Sequence, residues 1–329
     1  MNRITRILTA AVLVALLAVP AFAQAKGYPS RTIECYAPSG AGGGWDLTIR
    51  TVSKTLTDTK LVKVAMPVEN KAGGGGAVFL TALQSMKGKD NVLTVYSPPL
   101  LLINLNGTTP FSYKNTTPLA RLITDYGAFV VRKDSKYTSI AQLIDDLRKN
   151  PASVKFGGNS AAGSMDHIQF LVVAKAAGLT GLKNIQFISF QDNAGAAQLL
   201  GGHIDMLSTG LGDVRGLVES GDLRVLASTA PKRPDYGVGK DVPTVREQGI
   251  PADFANWRGI FGPPEMPAYA VTFWRDALGK MVNTPEWKKS CENNGWVQSY
   301  ADQPEFLKFL EAQNSVSKDI LTELGMAKK

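Results

Sequence analysis

The residues best suited to chemistry lie in two glycine-rich stretches. Pro38-Ser39-Gly40-Ala41-Gly42-Gly43-Gly44-Trp45-Asp46 follows a strand-like run and precedes a helix-like one. Gly157-Gly158-Asn159-Ser160-Ala161-Ala162-Gly163-Ser164 repeats that arrangement and leads into Asp166 and His167. A strand, a glycine turn and a helix N-terminus together present backbone N–H groups to an anion. The missing Cβ lets a ligand approach the main chain, and Ser39, Asn159, Ser160 and Ser164 add hydroxyl and amide groups. For either loop alone, an ordinary βα turn is an equally good account. Two such loops at equivalent positions in two units favour a site, because open α/β sheets hold ligands at the carboxyl ends of their strands. A di- or tricarboxylate needs at least two grips, one from each loop.

Other chemistries find less support. Neither turn fits G-x-x-x-x-G-K-[ST] or G-x-G-x-x-G, so nucleotide binding is not indicated. Ser160 has one residue too many before Gly163 for a nucleophile elbow. His167 and His203 are the only histidines. Without H-E-x-x-H or a Cys/His cluster, the reading is of a protein with no catalytic residues, no metal and no cofactor. His167 is close to Ser164 and Asp166 in sequence, but that local spacing suits orienting a loop or touching a ligand better than a triad. Asp46, at the start of a helix, is placed to cap free N–H groups, because a carboxylate facing an anion would repel it. A ligand hydroxyl or ammonium is the exception.

These stretches must be carried by β/α units. Thr32 to Ala37 reads as a first strand, and Ile49, Val52 and Leu56 put a helix after the first loop. Leu61 to Val68 reads as a second strand, Gly73 to Gly76 as a second glycine turn, and Ala77 to Met86 as a helix. Asn91 to Tyr96 is a third strand, stopped at Ser97-Pro98-Pro99. Phe129 to Arg132 opens a second unit. Ser139 with Gln142 forms a capping box for the next helix. Val154 to Phe156, Ile185 to Phe190, Ile204 to Leu207 and Leu223 to Ala227 read as its strands, with helices after the second loop and over Gly195 to Leu200. Ser97 and Thr209 end strands in the manner of the glycine loops. After a Pro- and Gly-rich crossover from Pro231 to Pro251, Asn256 to Phe261 is a strand. Closing helices follow: one ending at Met281, one capped by Thr284, and one boxed by Asp302 and Glu305. Their place is on the first unit. The alternation predicts two β/α domains with mostly parallel sheets and helices on both faces.

The 329 residues suffice for two domains. Arg3 and Arg6, the apolar run from Ile7 to Val19 and the Ala21-Phe22-Ala23 site read as a signal peptide cleaved after Ala23. The formal charge is +8, but Lys and Arg are scattered without long runs, so nucleic acid is not an expected partner. A mildly basic body helps draw in an anion. Cys35 and Cys291 are the only cysteines. An oxidising compartment permits their pairing, and burial of Cys35 as a free thiol in an apolar strand is at least as good a reading.

Longer motifs add a resemblance. Tyr28 to Cys35, Ala37 to Thr48, Val68-Glu69-Asn70-Lys71-Ala72-Gly73-Gly74, Gly163-Ser164-Met165-Asp166-His167, Leu200 to Asp205, Val242 to Gly249 and Asn256-Trp257-Arg258-Gly259 occur in an order that resembles the periplasmic substrate-binding component of tripartite tricarboxylate transporters. The resemblance implies a two-lobed periplasmic-binding-protein-like α/β fold that closes on its ligand. Residues 24–126 with 252–329 would form one domain and 127–251 the other, with the cleft between them. It implies a periplasmic, monomeric receptor that passes a small organic acid, citrate first, to one large and one small membrane subunit. The first-loop role carries over to Ser39, Gly40, Ala41, Gly42, Gly43 and Asp46, and the second to Gly158, Asn159, Ser160, Ser164 and His167. Ser97 and Thr209 are secondary candidates. Trp45 departs from the smaller residue common in the family, and either narrows the pocket or packs as core. Phe190 is followed by Gln191 where the family often has glycine, which bears on the pocket's side wall. Rival readings are a receptor for a dicarboxylate, an aromatic acid or an amino acid, a sensory binding module, and a secreted α/β hydrolase.

Overall fold

The computed structural model describes residues 27–190, 194–235 and 237–328. The proposed signal peptide and Gln191 lie outside them. The chain begins with β1 (Glu34–Ala37), α1 (Gly44–Asp58), β2 (Val68–Asn70), α2 (Ala77–Gln84), β3 (Val92–Tyr96) and α3 (Pro99–Leu105). A long strand, β4 (Thr117–Arg132), then leads to α4 (Ile140–Lys149), β5 (Phe156–Gly158), α5 (Met165–Ala176), β6 (Phe187–Ser189), α6 (Gly195–Leu200), β7 (Met206–Gly210), α7 (Arg215–Glu219) and β8 (Leu223–Ser228). The chain returns through β9 (Ala255–Gly262) to α8 (Ala268–Met281), α9 (Pro285–Asn294), β10 (Val297–Ala301) and α10 (Gln303–Glu323).

The strands form one continuous curled sheet ordered β2-β1-β3-β9-β4-β7-β5-β6, with β8 and β10 also paired to β4. It divides into two lobes along β4. Thr117 to Tyr126 pairs with β9, and Gly127 to Val130 pairs with β7. Parallel pairing holds where a helix links the strands: β1 to β2 and β3, and β5 to β6 and β7. The strands that carry the chain between lobes, β4 and β9, pair antiparallel with each other and their neighbours, so the expectation of mostly parallel sheets gives way to a mixed one.

Each lobe has its own core. In the first, Ile49, Val52 and Leu56 of α1 pack with Trp274, Leu278 and Trp287 against Ile123 and Ile260. That stripe makes α1 a helix with one buried face, and burying each such side chain contributes about 1.5–3 kcal/mol. In the second, Phe129, Phe156, Phe170 and Leu171 pack with Ile140, Leu143 and Leu147 of α4. Cys35 and Cys291 are both buried free thiols, each pushed up to about 12 by burial.

Caps act where they were read. Ser139 Oγ accepts from Gln142 N, Thr284 Oγ1 from Trp287 N and Asp302 Oδ1 from Glu305 N. Strand limits move further. Leu61 to Pro67 is irregular, and β2 starts only at Val68, where Cys35 provides a partner. The four-residue strand expected at Phe129 to Arg132 is the end of sixteen-residue β4.

Candidate functional site

The two glycine loops face each other across a cleft of about 800 Å³, counting its open mouth. Each loop is held from behind by the helix it opens. Gly42, at φ +78°, donates its N–H to Asp46 Oδ2 at 3.0 Å; Gly163, at φ +76°, donates to His167 Nδ1 at 3.0 Å. In both loops the positive-φ glycine stands two residues before the helix, and the acceptor side chain four residues after that glycine. The helix N-termini therefore meet the cleft in matched geometry, each with partial positive charge and free N–H groups.

On the first wall, Ser39, Gly40, Gly43, Gly44 and Trp45 line the cleft. Trp45 combines both roles considered for it. Its ring packs edge-on against Tyr96, its Nε1–H donates to Ser97 Oγ at 2.9 Å, and the residue lines the cleft. Ser97 is buried and also lines it. Asp46 is turned away. Its carboxylate accepts from Gly42 N, Arg50 Nε and Asn70 Nδ2, bracing the loop rather than facing the cleft. Ala41 and Gly42 lie on the loop's exposed outer side and do not line the cleft.

On the second wall, Asn159, Ser160, Ser164 and Asp166 line the cleft. Ser160 and Asp166 clamp each other: Ser160 N donates to Asp166 Oδ2 and Asp166 N donates to Ser160 Oγ, both at 2.9 Å. Asn159 Oδ1 accepts from Gly195 N, tying the loop to α6. Four expected residues stand behind this wall instead of on it. A Cβ at Gly158 would collide with Asp166, so Gly158 gives that side chain room. His167 stacks on Phe187 at 4.6 Å, and burial lowers its pKa to about 4, so the ring is neutral and accepts through Nδ1. Phe190 packs with the apolar cluster of Leu199, Ile204 and Leu207. Thr209 is buried and donates from Oγ1 to Asp213 Oδ2 at 3.2 Å.

Several lining residues were not among the sequence candidates. Ala72, Gly73 and Gly75 belong to the second glycine run, whose strand–turn–helix pattern was the available signal. Asp166 and Asp213 give the second wall two carboxylates, and Asn256 and Arg258 of β9 form the floor. Burial, with Asp213 nearby, pushes Asp166 up to about 7. Arg258 is 3% exposed and donates from Nη2 to Asp125 Oδ2 at 2.6 Å and from Nη1 to Thr48 Oγ1 at 3.0 Å. A Cβ at Gly44 would collide with that guanidinium, so Gly44 lets the helix start sit directly against it. A charged residue inside an apolar strand was the signal for Arg258; Asp213 carried none.

The arrangement can bind a small polar molecule between two sets of backbone N–H groups, hydroxyls and amides. Among the described residues no group of three or more His, Cys, Asp or Glu is placed to hold a metal, and no helix is long and apolar enough to cross a membrane.

Residues 49–326 match the family model described as the tripartite tricarboxylate transporter family receptor. A UPF0065 protein of Cupriavidus necator is 27% identical over 319 residues, covering 95% of this chain and 93% of its own. A Rhodopseudomonas palustris protein determined with adipate superposes with a TM-score of 0.81 at 20% identity, over 91% of this chain and 99% of that one. MatC of the same organism, determined with malate, gives 0.78 at 17% identity, over 89% and 100%. At those identities the two structures establish a shared two-lobed fold.

Proposed function

The chain belongs to the tripartite tricarboxylate transporter receptor family, and from that premise we propose that it is an exported, periplasmic receptor that captures a small carboxylate between its lobes. The observation that carries this reading is the matched pair of helix N-termini at Gly44 and Met165, each opened by a braced glycine loop and aimed at one cleft. A carboxylate is among the anions that helix N-terminal N–H groups hold. The adipate and malate of the two superposed proteins are in keeping with it.

In this reading Ser39, Gly40, Gly43, Trp45, Ser97, Asn159, Ser160 and Ser164 contact the ligand. Ala41, Gly42, Asp46, Gly158, His167, Phe190 and Thr209 shape the walls from behind. The lobes are residues 24–126 with 252–329, and 127–251, after cleavage at Ala23. They close on the ligand, and the monomer delivers it to a large and a small membrane subunit without turning it over. Citrate is the first ligand that the family suggests, although Asp166 and Asp213 on the second wall count against a triply charged anion.

The test is a thermal-shift screen of the ligand-free protein against mono-, di- and tricarboxylates. A ligand present at about a hundred times its Kd stabilises by about 2.7 kcal/mol, a readily visible shift in Tm. Gly43→Val should abolish the shift by blocking approach to the backbone. A screen in which no carboxylate stabilises the protein would sink the reading.

A further inference from the structure

Asp166 is the carboxyl of the cleft that nothing balances. Arg258 is the only cation among the lining residues, and it is committed to Asp125 and Thr48. Asp125 also accepts from Gly212 N. Asp213 is exposed to water and accepts from Thr209. Asp166, by contrast, is 3% exposed, and Ser160 holds both its Oδ2 and its backbone N–H. Its Oδ1 is buried and has no hydrogen-bond partner among the described residues. The neighbouring elements add negative charge rather than positive. A Cβ at Gly210 would lie 2.6 Å from Asp125 Oδ2 and 3.0 Å from Asp213 Oδ2, so those two carboxyls crowd the end of β7. His167, next in α5, is neutral.

In the ligand-free protein neither form of Asp166 is satisfied. Ionised, it is a buried anion without a cation, and burial together with Asp213 favours the acid. As the acid it carries its proton on Oδ1, because Oδ2 accepts from Ser160 N, and that O–H then has no acceptor. Ser164 adds a second donor in the same position. It is the N-cap of α5 yet makes no side-chain cap bond, it is 1% exposed, and its Oγ lacks a partner while the residue lines the cleft. His167 Nε2 is a further unpartnered donor behind the wall, and Asn256 Oδ1, on the floor, is an acceptor outside this set. Two O–H donors on one wall match the two oxygens of a carboxylate, and a hydrogen bond to an ionised acceptor is of the stronger kind.

We propose that the second wall takes the ligand's carboxylate through the acid form of Asp166, whose Oδ1–H donates beside the Ser164 hydroxyl, so that capture of the anion brings a proton from solvent into the cleft. This rests on the carboxylate-receptor reading and adds the protonation state of its site. The proton moves from water to Asp166 Oδ1, is shared with a ligand oxygen while the ligand is bound, and returns to water on release. Repulsion between ligand and wall is then left to Asp213 alone, which faces solvent.

The experiment is calorimetric titration of the whole exported chain with adipate, with malate and with any other carboxylate that stabilises it in the thermal-shift screen. Each titration is repeated in buffers of different ionisation enthalpy, which counts the protons taken up per ligand bound. Wild-type protein should take up more than about half a proton per ligand at pH 8 and about a third of that or less at pH 6.5, with affinity about five- to ten-fold weaker at the higher pH. Asp166→Asn keeps an oxygen for Ser160 N and places an N–H donor where the acid proton was. This variant should take up no proton, bind equally at both pH values, and bind more tightly than wild type at pH 8. Asp213→Asn should move the uptake to lower pH. Wild-type binding at pH 8 without proton uptake overturns the proposal and leaves the carboxylate reading intact. Uptake that persists in folded Asp166→Asn also overturns it, because the proton then goes elsewhere. If no carboxylate binds, both readings fall together.

Discussion

At the scale of single residues, the cleft is decided by what stands behind it as much as by what lines it. Asp46 and His167 carry the polar atoms that a sequence reader takes for ligand contacts, yet both spend them on the N–H of a glycine four residues back. Glycine-rich spacing therefore identified the loops but not the direction in which each side chain turns, which depends on partners such as Arg50, Asn70 and Phe187. Asp166 is the reverse case: a carboxyl that the sequence offers only as a neighbour of His167, yet it lines the cleft. Burial raises it from 3.8 to about 7 in the ligand-free protein, with Asp213 pushing the same way and the Ser160 bonds opposing. Between those values the folded protein holds more protons than the unfolded chain, so this residue's contribution to stability falls as pH rises from about 4 to about 7. His167 works oppositely, since its pKa is lowered from 6.5 to about 4 and its contribution improves over that interval as pH rises. Asp166→Asn removes only the first effect and keeps an oxygen for Ser160. The stability of this variant minus that of wild type should therefore increase from pH 5 to about pH 7, by about 1.4 kcal/mol per pH unit, and level off toward pH 8. A difference that is flat or falls over that range in a pH series of melting curves would show that Asp166 does not titrate there.

At the scale of elements, both walls are one design used twice: strand, glycine at positive φ, helix. A Cβ at Gly42 would meet nothing within 4 Å, and at Gly163 only Asn106 Nδ2 at 3.7 Å. Any effect of Gly42→Ala or Gly163→Ala must therefore come from the backbone. Each should cost about 1–2 kcal/mol by urea unfolding, with Asn at the same position costing less because it tolerates the left-handed region. Each should also weaken ligand binding, because the bond that braces the loop depends on that conformation. Equal losses for Ala and Asn would point to side-chain crowding and contradict this account. Helix starts were legible because they are local: Ser139, Thr284 and Asp302 cap their own third residues. Strand limits were not, because pairing fixes them. Leu61 to Pro67 has the apolar content of a strand, yet Val62 and Met66 reach the core from an irregular segment, and the ladder begins only where β1 offers a partner. Pro118, Asp125 and Gly127 hid β4, whose length follows from having neighbours in both lobes.

At the scale of the whole molecule, β4 and β9 join the lobes, and the Asp125–Arg258 pair sits where β4 changes partners. Asp125 and Arg258 are 0% and 3% exposed, and Arg258 also lies over the Trp296 ring at 5.5 Å. Asp125 Oδ1 accepts from Gly212 N of the second lobe at 3.4 Å, so one carboxylate touches β9 and the far side of the junction together. Burial pushes Asp125 up to about 7 while the Arg258 charge pulls it back. Local sequence gave no hint of this pair, because its members lie in different strands 133 positions apart. Its energetics can be separated by a double-mutant cycle. Arg258→Met leaves a carboxylate buried without its cation and should cost about 3–5 kcal/mol. Asp125→Asn leaves the cation uncompensated and should also be costly. The double variant removes both charges together, so its loss should be well below the sum of the single losses, a coupling of several kcal/mol in urea unfolding. Additive losses would mean that the pair does not act as a unit, and the junction would then owe its geometry to the strand ladder alone. Ligand binding by the double variant adds the functional arm: Arg258 backs Gly44 at the start of α1, so affinity should fall even where stability is recovered.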